Sequence, residues 1–371
     1  MLFGLDDERQ MLRDTVRDYF GEAFPLTRLM DFANSDRTYD RALWDQLSNK
    51  MELVGLAVPE NLGGSGYSLY ETCVVLSEMG RVLCPSPFFA STVLACEALL
   101  ATDDETFQAE VIPQLVKGDL TGTLAGMNPK GWFGEDLVVR AESGGDGWKL
   151  SGVDSTVLDA ATADVVLVLA RTADGPELFA VQRESTGVHL ESLDGIDFTR
   201  PIGRLTLDGA PARRIGSPGV GNVVLERIRL VVPVCQAAEQ VGAAERCLEI
   251  AVEHAKGRKQ FGKPIGSFQA VKHHCASVLL AVEAAKWTAL YGAWSVANDL
   301  PDRVPVAAMT QASCSDALQR ASENLIQVLG GIGYTWEHPA HAYFRRAVAS
   351  REIFGSVAAQ RESVAAAYLD R

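Results

Sequence analysis

Two helical regions enclose one segment with the pattern of β-strands, and this order restricts the chain to few architectures. Residues 116–228 contain short runs of Val, Leu and Phe separated by Gly, Asp and Ser, with "ADVVLVLAR" and "ELFAVQR" as strand candidates. The flanking segments carry apolar residues at helical spacing instead. We therefore predict an α+β fold with three domains: helical residues 1–115, a β unit at 116–228 and a helical bundle at 229–371.

Amphipathic stretches locate the helices. In the first flank, "LDDERQMLRDTVRDYFGEAF" places Leu5, Met11, Leu12 and Val16 at helical spacing, and "YETCVVLSEMGRVL" has the same pattern. The second flank has four long helical stretches, which predict an antiparallel four-helix bundle. These are "VPVCQAAEQVGAAERCLEIAVEHAKGR", "SFQAVKHHCASVLLAVEAAKWTALYGAWSVAND", "PVAAMTQASCSDALQRASENLIQVLGGIG" and "SREIFGSVAAQRESVAAAYLD".

Charge and cysteine content argue against several classes of function. The net charge is 34 − 48 = −14, which disfavours nucleic acid and lipid surfaces as partners. No apolar run reaches the roughly 18–20 residues that span a bilayer. The seven cysteines form no C-x-x-C pair and no zinc spacing, so we expect buried thiols in a reducing cytoplasm and no metal site.

The segment "GRKQFGKPIGSFQ" is predicted to connect the first two bundle helices. Its Arg258 could bind a phosphate group through two parallel hydrogen bonds from the guanidinium. Phe261 and Phe268 could flank a flat ring. By itself, the segment is more typical of a polar turn between two helices.

The segment "QVLGGIGYTWEHP" ends the third bundle helix. Gln327 could hydrogen-bond the edge of a nucleotide or a ribose. Gly330 and Gly331 allow the backbone to approach a ligand closely. By itself, this segment too is more typical of an ordinary glycine helix end.

Together the two segments resemble motifs of the acyl-CoA dehydrogenase family of flavoproteins. Arg-x-x-Phe-Gly is followed 327 − 258 = 69 residues later by Gln-x-x-Gly-Gly-x-Gly-Tyr, and "AVPENLGGSGYS" is similar to the family's "PEEYGGSG" loop. The resemblance covers essentially the whole chain and implies a β-barrel-like central domain. It also implies that one set of residues grips the ADP half of FAD, usually across a dimer interface: Arg258, Phe261, Phe268, Gln269, Gln327, Gly330 and Gly331.

The same resemblance implies α,β-dehydrogenation of an acyl-CoA thioester, with electron-transfer flavoprotein as the electron acceptor. A carboxylate removes the α-proton in this family, commonly from a "Y-E-G-T" segment. Aligning that segment on Gly355 places Phe354 at the position of the base, and phenylalanine cannot accept a proton.

Other carboxylates are candidates for a displaced base. A minority of the family carries the base on the first bundle helix, where counting back from Arg258 gives Val232. Glu239 lies about two turns further along that helix and is the fallback candidate. Glu352 is close to Phe354 in sequence, but two positions along a helix point to different sides.

The β unit also departs from the family pattern. The family's "TEPGAGSD" segment, which contacts the flavin ring and pyrophosphate, should fall near residues Gly122 to Asp136, where neither Thr-Glu nor Gly-Ser occurs. The family's "W-I-T-N" strand corresponds to "VDSTVLDAA", where Ser155 and Thr156 are the comparable polar groups. We predict that this chain's own seat for the flavin ring is degraded.

Three interpretations remain open. The chain is the non-base subunit of a heteromeric acyl-CoA dehydrogenase, paired with a paralogous subunit as α2β2, similar to bacterial members acting on steroid side-chain CoA thioesters. Alternatively, it is a self-sufficient homomeric enzyme with a displaced base such as Glu239, or a non-enzymatic scaffold of the same fold. The retained ADP motifs, together with the missing base and ring contacts, favour the first.

Overall fold

The computed structural model describes residues 3–35, 38–126, 136–145 and 147–369. Helices come first, strands second and helices last, which confirms the predicted α+β fold class. Among the described residues, no helix is both long enough and apolar enough to cross a membrane. The helices are α1 (Asp7–Ala23), α2 (Leu26–Ala33), α3 (Arg41–Asp45), α4 (Leu69–Val82), α5 (Glu97–Leu100), α6 (Glu105–Val116), α7 (Val220–Gly257), α8 (Gln269–Ala297), α9 (Arg303–Leu329), α10 (Ala340–Ser350) and α11 (Val357–Leu369).

The central strands close into a small barrel. The hydrogen-bonded ring runs β4-β2-β3-β7-β5 and closes because β5 also pairs with β4, while β1 adds to β4 and β6 to β7. Valine, leucine and phenylalanine side chains such as Leu150, Val168 and Phe179 fill the interior. The strands are β1 (Gly122–Ala125), β2 (Arg140–Gly144), β3 (Gly147–Leu158), β4 (Val165–Thr172), β5 (Gly175–Gln182), β6 (Val188–Leu193) and β7 (Ile202–Ile215).

The C-terminal bundle consists of α7, α8, α9 and α11, with α10 packed against α9. Helix α7 begins at Val220, so the last residues of the segment predicted as β, 220–228, are helical. The prediction of one helix across "SREIFGSVAAQRESVAAAYLD" is wrong, because α10 ends at Ser350 and α11 begins at Val357. Gly355 has φ 96°, a conformation that a right-handed helix cannot contain, and Phe354 therefore lies in a turn.

Two glycines bring α4 and α7 into direct backbone contact. A Cβ added at Gly242 of α7 would lie 1.7 Å from the carbonyl oxygen of Ser77, and one added at Gly80 of α4 would lie 2.0 Å from that of Glu239. No side chain fits between the two helices here. This crossing attaches the N-terminal helices to the bundle and fixes the position of Glu239 along the interface.

We expect Gly242→Ala to lower the free energy of unfolding by about 3 kcal/mol, because the added methyl group forces the helices apart. Chemical denaturation measures the change. Gly21→Ala in α1 is the matched control, since its Cβ would meet no atom within 4 Å. The control should stabilise the chain by about 0.5–1 kcal/mol through helix propensity. Equal effects of the two substitutions would contradict the close crossing.

Candidate functional site

Phe354 is completely buried in an aromatic stack. Its ring lies 5.4 Å from that of Phe89 with an interplanar angle of 16°. The guanidinium of Arg200 lies over Phe89, 4.8 Å from the ring centre. Where the family resemblance places a proton-accepting carboxylate, the structure therefore has two stacked apolar rings and a cation.

A buried ion cluster lies beside this stack and joins the β unit to the bundle. Arg346 of α10 donates to Asp197, to Glu239 Oε1 at 2.5 Å and to Thr199 Oγ1 at 2.5 Å. Arg200 donates to the other oxygen of Glu239. All five side chains are buried. Both oxygens of Glu239 are thus occupied by guanidinium groups from two different elements.

This pairing keeps Glu239 ionised. Burial alone would raise the pKa of Glu239, but attraction to Arg200 and Arg346 and the hydrogen bond from Arg200 lower it below its usual value. Burial lowers the pKa of Arg200, whereas Asp197 and Glu239 outweigh burial at Arg346 and raise its pKa. A carboxylate held this way is a poor general base, because taking up a proton would break its contacts with both arginines.

Asp159 is a second buried carboxyl next to the cluster. It directly follows β3 and has a left-handed backbone conformation, with φ 50°. Burial raises its pKa to about 7, although Arg200 and Arg346 both act to lower it. Asp159 Oδ1 and Arg200 Nη1 make no hydrogen bond to the described residues. Both line a cavity of about 20 Å³, which has room for a water molecule and none for an acyl chain.

An open cleft of about 400 Å³ lies between the β unit and the C-terminal helices. Thr156, one of the two polar groups compared with the family's "W-I-T-N" strand, forms part of its wall, with Ile202 and Ile353. Thr156 donates from both its backbone and its hydroxyl to Asp154, so this hydroxyl is already engaged within the chain. Most of the segment expected to match "TEPGAGSD" lies outside the described residues.

The first predicted ADP motif lies at the exposed end of α7. Arg258 ends that helix, and a two-stranded hairpin, β8 (Lys259–Gln260) with β9 (Lys263–Pro264), connects it to α8. Phe261 is 90% exposed and has φ 52°, an uncommon conformation for a bulky residue. Phe268 packs edge-on against it, with ring centres 6.1 Å apart.

The second predicted ADP motif lies at the same end of the bundle. Thr310 and Cys314 of α9 contact the α8 carbonyl oxygens of Thr288 and Ala285, so the two helices are antiparallel. Gln269 at the start of α8 and Gln327 at the end of α9 are consequently near each other, and both are exposed.

The glycines of this second motif differ in what they require. Gly330 has φ 67°, a conformation that favours glycine. Gly331 has no such requirement, and a Cβ there would meet no atom within 4 Å. The chain's own packing therefore gives no reason for a glycine at 331, which is consistent with close approach by an external molecule.

The candidate bases are dispersed. Val232 is fully buried on α7 and Glu239 is enclosed in the ion cluster. Glu352 is exposed on the rim of the open cleft, in the turn after α10. Four buried charged residues belong to no recognisable motif and were not predicted as site residues: Asp159, Asp197, Arg200 and Arg346. Arg346 could have been recognised, because it shares the buried face of α10 with Tyr343 and Ala347. A charged residue on an otherwise apolar helix face indicates a buried ion pair.

Comparisons with known proteins support one family. The model for the acyl-CoA dehydrogenase N-terminal domain matches residues 6–119, and that for the C-terminal domain matches residues 231–369. The chain is 33% identical over 351 residues to acyl-CoA dehydrogenase IpdE2 of Mycobacterium tuberculosis (strain ATCC 25618 / H37Rv), covering 94% of each.

Two solved structures share the whole fold. A chain of the ChsE4-ChsE5 complex from Mycobacterium tuberculosis is 28% identical, with a TM-score of 0.91 over 100% of both chains. A variant of the Tcur3481-Tcur3483 steroid ACAD is 30% identical, with a TM-score of 0.86 over 98% of both chains.

We expect Asp159→Asn to stabilise the chain increasingly as the pH rises. The folded pKa of about 7 lies above the usual aspartate value of 3.8, so between these values the unfolded state releases a proton that the folded state keeps. Stability linked to Asp159 is therefore lost as the pH rises toward 7, and Asn lacks this loss. The advantage of the variant should grow by about 2 kcal/mol between pH 5.5 and pH 8, measured by urea unfolding.

Asp208→Asn, at an exposed position of β7, controls for the change in net charge. Parallel stability–pH profiles for wild type and Asp159→Asn would show that Asp159 is ionised at all these pH values in the folded chain.

Proposed function

Because the chain belongs to the acyl-CoA dehydrogenase family, we propose that it is a subunit of an FAD-dependent acyl-CoA dehydrogenase whose catalytic base lies on a partner chain. The reaction is α,β-desaturation of an acyl-CoA thioester. In this proposal the chain contributes a grip on the ADP half of FAD and provides no proton acceptor. FAD, when bound, supplies the acceptor for the hydride that leaves the substrate's β-carbon.

The observation that carries this proposal is the environment of Phe354. It occupies the expected position of the base, and its ring is stacked on that of Phe89. Glu239 of α7 is the fallback candidate for the base, but two arginines hold both its oxygens. Asp159 has a pKa suited to proton exchange, yet its cavity of about 20 Å³ admits no thioester.

The residues at the exposed end of the bundle fit the ADP half of FAD. Arg258 is exposed and suits a pyrophosphate, to which a guanidinium binds through two parallel hydrogen bonds. Phe261 presents an exposed ring, and Gln327 an exposed amide. Gly331 leaves the backbone accessible to a ligand. The cofactor phosphates would therefore be neutralised locally, in spite of the chain's net charge of −14.

We propose a paralogous partner of the same fold in an α2β2 assembly. Support comes from the two structural relatives, whose names each join two components, ChsE4-ChsE5 and Tcur3481-Tcur3483. The second is a steroid ACAD, so a steroid side-chain CoA thioester is the substrate we favour among acyl-CoA esters. Electron-transfer flavoprotein is the proposed electron acceptor.

Purification with and without the partner tests this function. The chain expressed alone should retain little flavin and oxidise no acyl-CoA. Co-expression with a paralogue encoded nearby should give a complex that contains FAD and has dehydrogenase activity. Flavin absorbance measures the FAD, and reduction of a dye measures the activity. In the complex, Arg258→Ala should weaken FAD binding by about 10–100-fold, the value of a charged hydrogen-bond pair.

Arg320→Ala removes another exposed cation from α9 and should leave FAD binding unchanged. A lone chain that carries one FAD per subunit and turns over acyl-CoA would contradict the division of labour. A complex without flavin would instead support a non-enzymatic scaffold.

Glu239→Gln separates the proposal from a homomeric enzyme with a displaced base. We expect the variant to lose about 3 kcal/mol of stability, because Arg200 and Arg346 lose their shared countercharge. Its turnover per bound flavin in the complex should stay within about twofold of wild type. Abolished turnover with FAD still bound would identify Glu239 as the base and overturn the proposal.

A further inference from the structure

Two cysteine sulfurs are in contact inside the junction between α4 and α7. Sγ of Cys73 on α4 lies 4.0 Å from Sγ of Cys235 on α7, and both residues are buried free cysteines. The sulfurs of a disulfide are about 2.05 Å apart, so each sulfur would have to move by about 1 Å. Rotation of the two side chains about their Cα–Cβ bonds can supply this movement while the helices stay in place.

The glycine crossing of α4 and α7 keeps the two sulfurs opposite each other. The cysteines are 235 − 73 = 162 residues apart in sequence, and Gly80 and Gly242 of the crossing are 242 − 80 = 162 residues apart. The two helices therefore run parallel here, and the cysteines meet two helical turns before the glycines. Because the backbones are in direct contact at the crossing, the register of the two helices is fixed.

A cavity of about 60 Å³ connects Cys73 to the protein surface. It lies between α1, α4, α7 and α8, and it has room for more than one molecule of the size of water. Its wall includes the partly exposed Arg17 and Lys286 as well as the buried Cys73. Cys235 is completely buried and is not part of this wall. A small oxidant that enters the cavity therefore meets Cys73 first.

We propose that Cys73 and Cys235 form an oxidation site, at which hydrogen peroxide converts the two thiols into a disulfide that joins the N-terminal helices to the bundle. Hydrogen peroxide is the two-electron oxidant. The Cys73 sulfur attacks one peroxide oxygen and becomes a sulfenic acid, while the O–O bond breaks and the thiol proton leaves in a first water. The Cys235 sulfur then displaces the hydroxyl group from Cys73, and this group leaves with the Cys235 proton as a second water.

The two thiols have different roles because their surroundings differ. Burial raises the pKa of the Cys235 thiol, and the hydrogen bond with Cys73 raises it further. Cys235 therefore stays protonated until it resolves the sulfenic acid, whereas Cys73 at the cavity meets the oxidant. The reaction uses neither flavin nor acyl-CoA nor a partner chain, so it is independent of the function proposed above.

Peroxide treatment of the reduced full-length chain tests the site. The number of thiols titrated under denaturing conditions should fall from seven to 7 − 2 = 5. Peptide mapping should find Cys73 linked to Cys235, with the linked pair lighter by about 2 Da than the two reduced peptides. Dithiothreitol in urea should restore both thiols. Seven remaining thiols, an oxygen added to Cys73 without the link, or a link between another pair would each overturn the proposal.

Alanine variants separate this pair from the other cysteines. In Cys73→Ala, Cys235 should stay a free thiol after peroxide treatment, because it is not part of the cavity wall. Cys247→Ala is the matched control and should lose two thiols as the wild type does. Cys247 is also buried on α7, but it lies 247 − 235 = 12 residues and about 18 Å beyond Cys235. Loss of the Cys235 thiol in Cys73→Ala would contradict the order of the two steps.

Thermal unfolding gives a second readout of the link. Peroxide should raise the Tm of the wild type and of Cys247→Ala by about 5 °C, because the disulfide closes a loop of 162 residues in the unfolded chain. Cys73→Ala should show no such rise, and equal rises in the two variants would contradict the link. Thiol number and Tm are measured without reference to flavin content or turnover, so this proposal and the proposed function can fail separately.

Discussion

The arrangement of domains depends on the carboxylate of Glu239, which is shared between Arg200 of the β unit and Arg346 of the bundle. Burying such charges is unfavourable unless every one is paired, and here Asp197 completes the balance. The cluster therefore tolerates only one relative placement of barrel and helices. One set of contacts thus stabilises the junction and holds both oxygens of Glu239 against arginines.

Most of the fold could be predicted from the sequence, because periodicity is a local property. The helical flanks and the β segment were recognisable from the spacing of apolar residues, and the structure has them in the same order. The errors occurred where a single backbone conformation decides. The positive φ of Gly355 divides the predicted fourth helix, and the end of β7 at Ile215 allows α7 to begin early. Closure of the barrel depends on the long-range pairings of β3 and β5 with β7, which no local pattern encodes.

The candidate site could be predicted in part. Arg258 and Gln327 were recognisable because each belongs to a motif, and the structure places both at one end of the bundle. The ion cluster was not, because its members come from segments that are distant in sequence, such as Asp197 and Arg346. From the sequence, Glu239 was the fallback candidate for a displaced base. Its two partners give it a role in holding the domains together, which depends on three-dimensional proximity alone.

The stacked rings of Phe354 and Phe89 have a consequence for how this chain can evolve. A glutamate at 354 would be enclosed against Phe89, with the nearest guanidinium already committed to Glu239. An uncompensated buried charge costs several kcal/mol, comparable to a large part of a domain's net stability. A carboxylate at position 354 would require concerted replacement of the Phe89 ring, the Arg200 cation and the Glu239 carboxylate. The stack of Phe354 on Phe89 is therefore an evolutionary barrier, because no single substitution at position 354 introduces a stable carboxylate there.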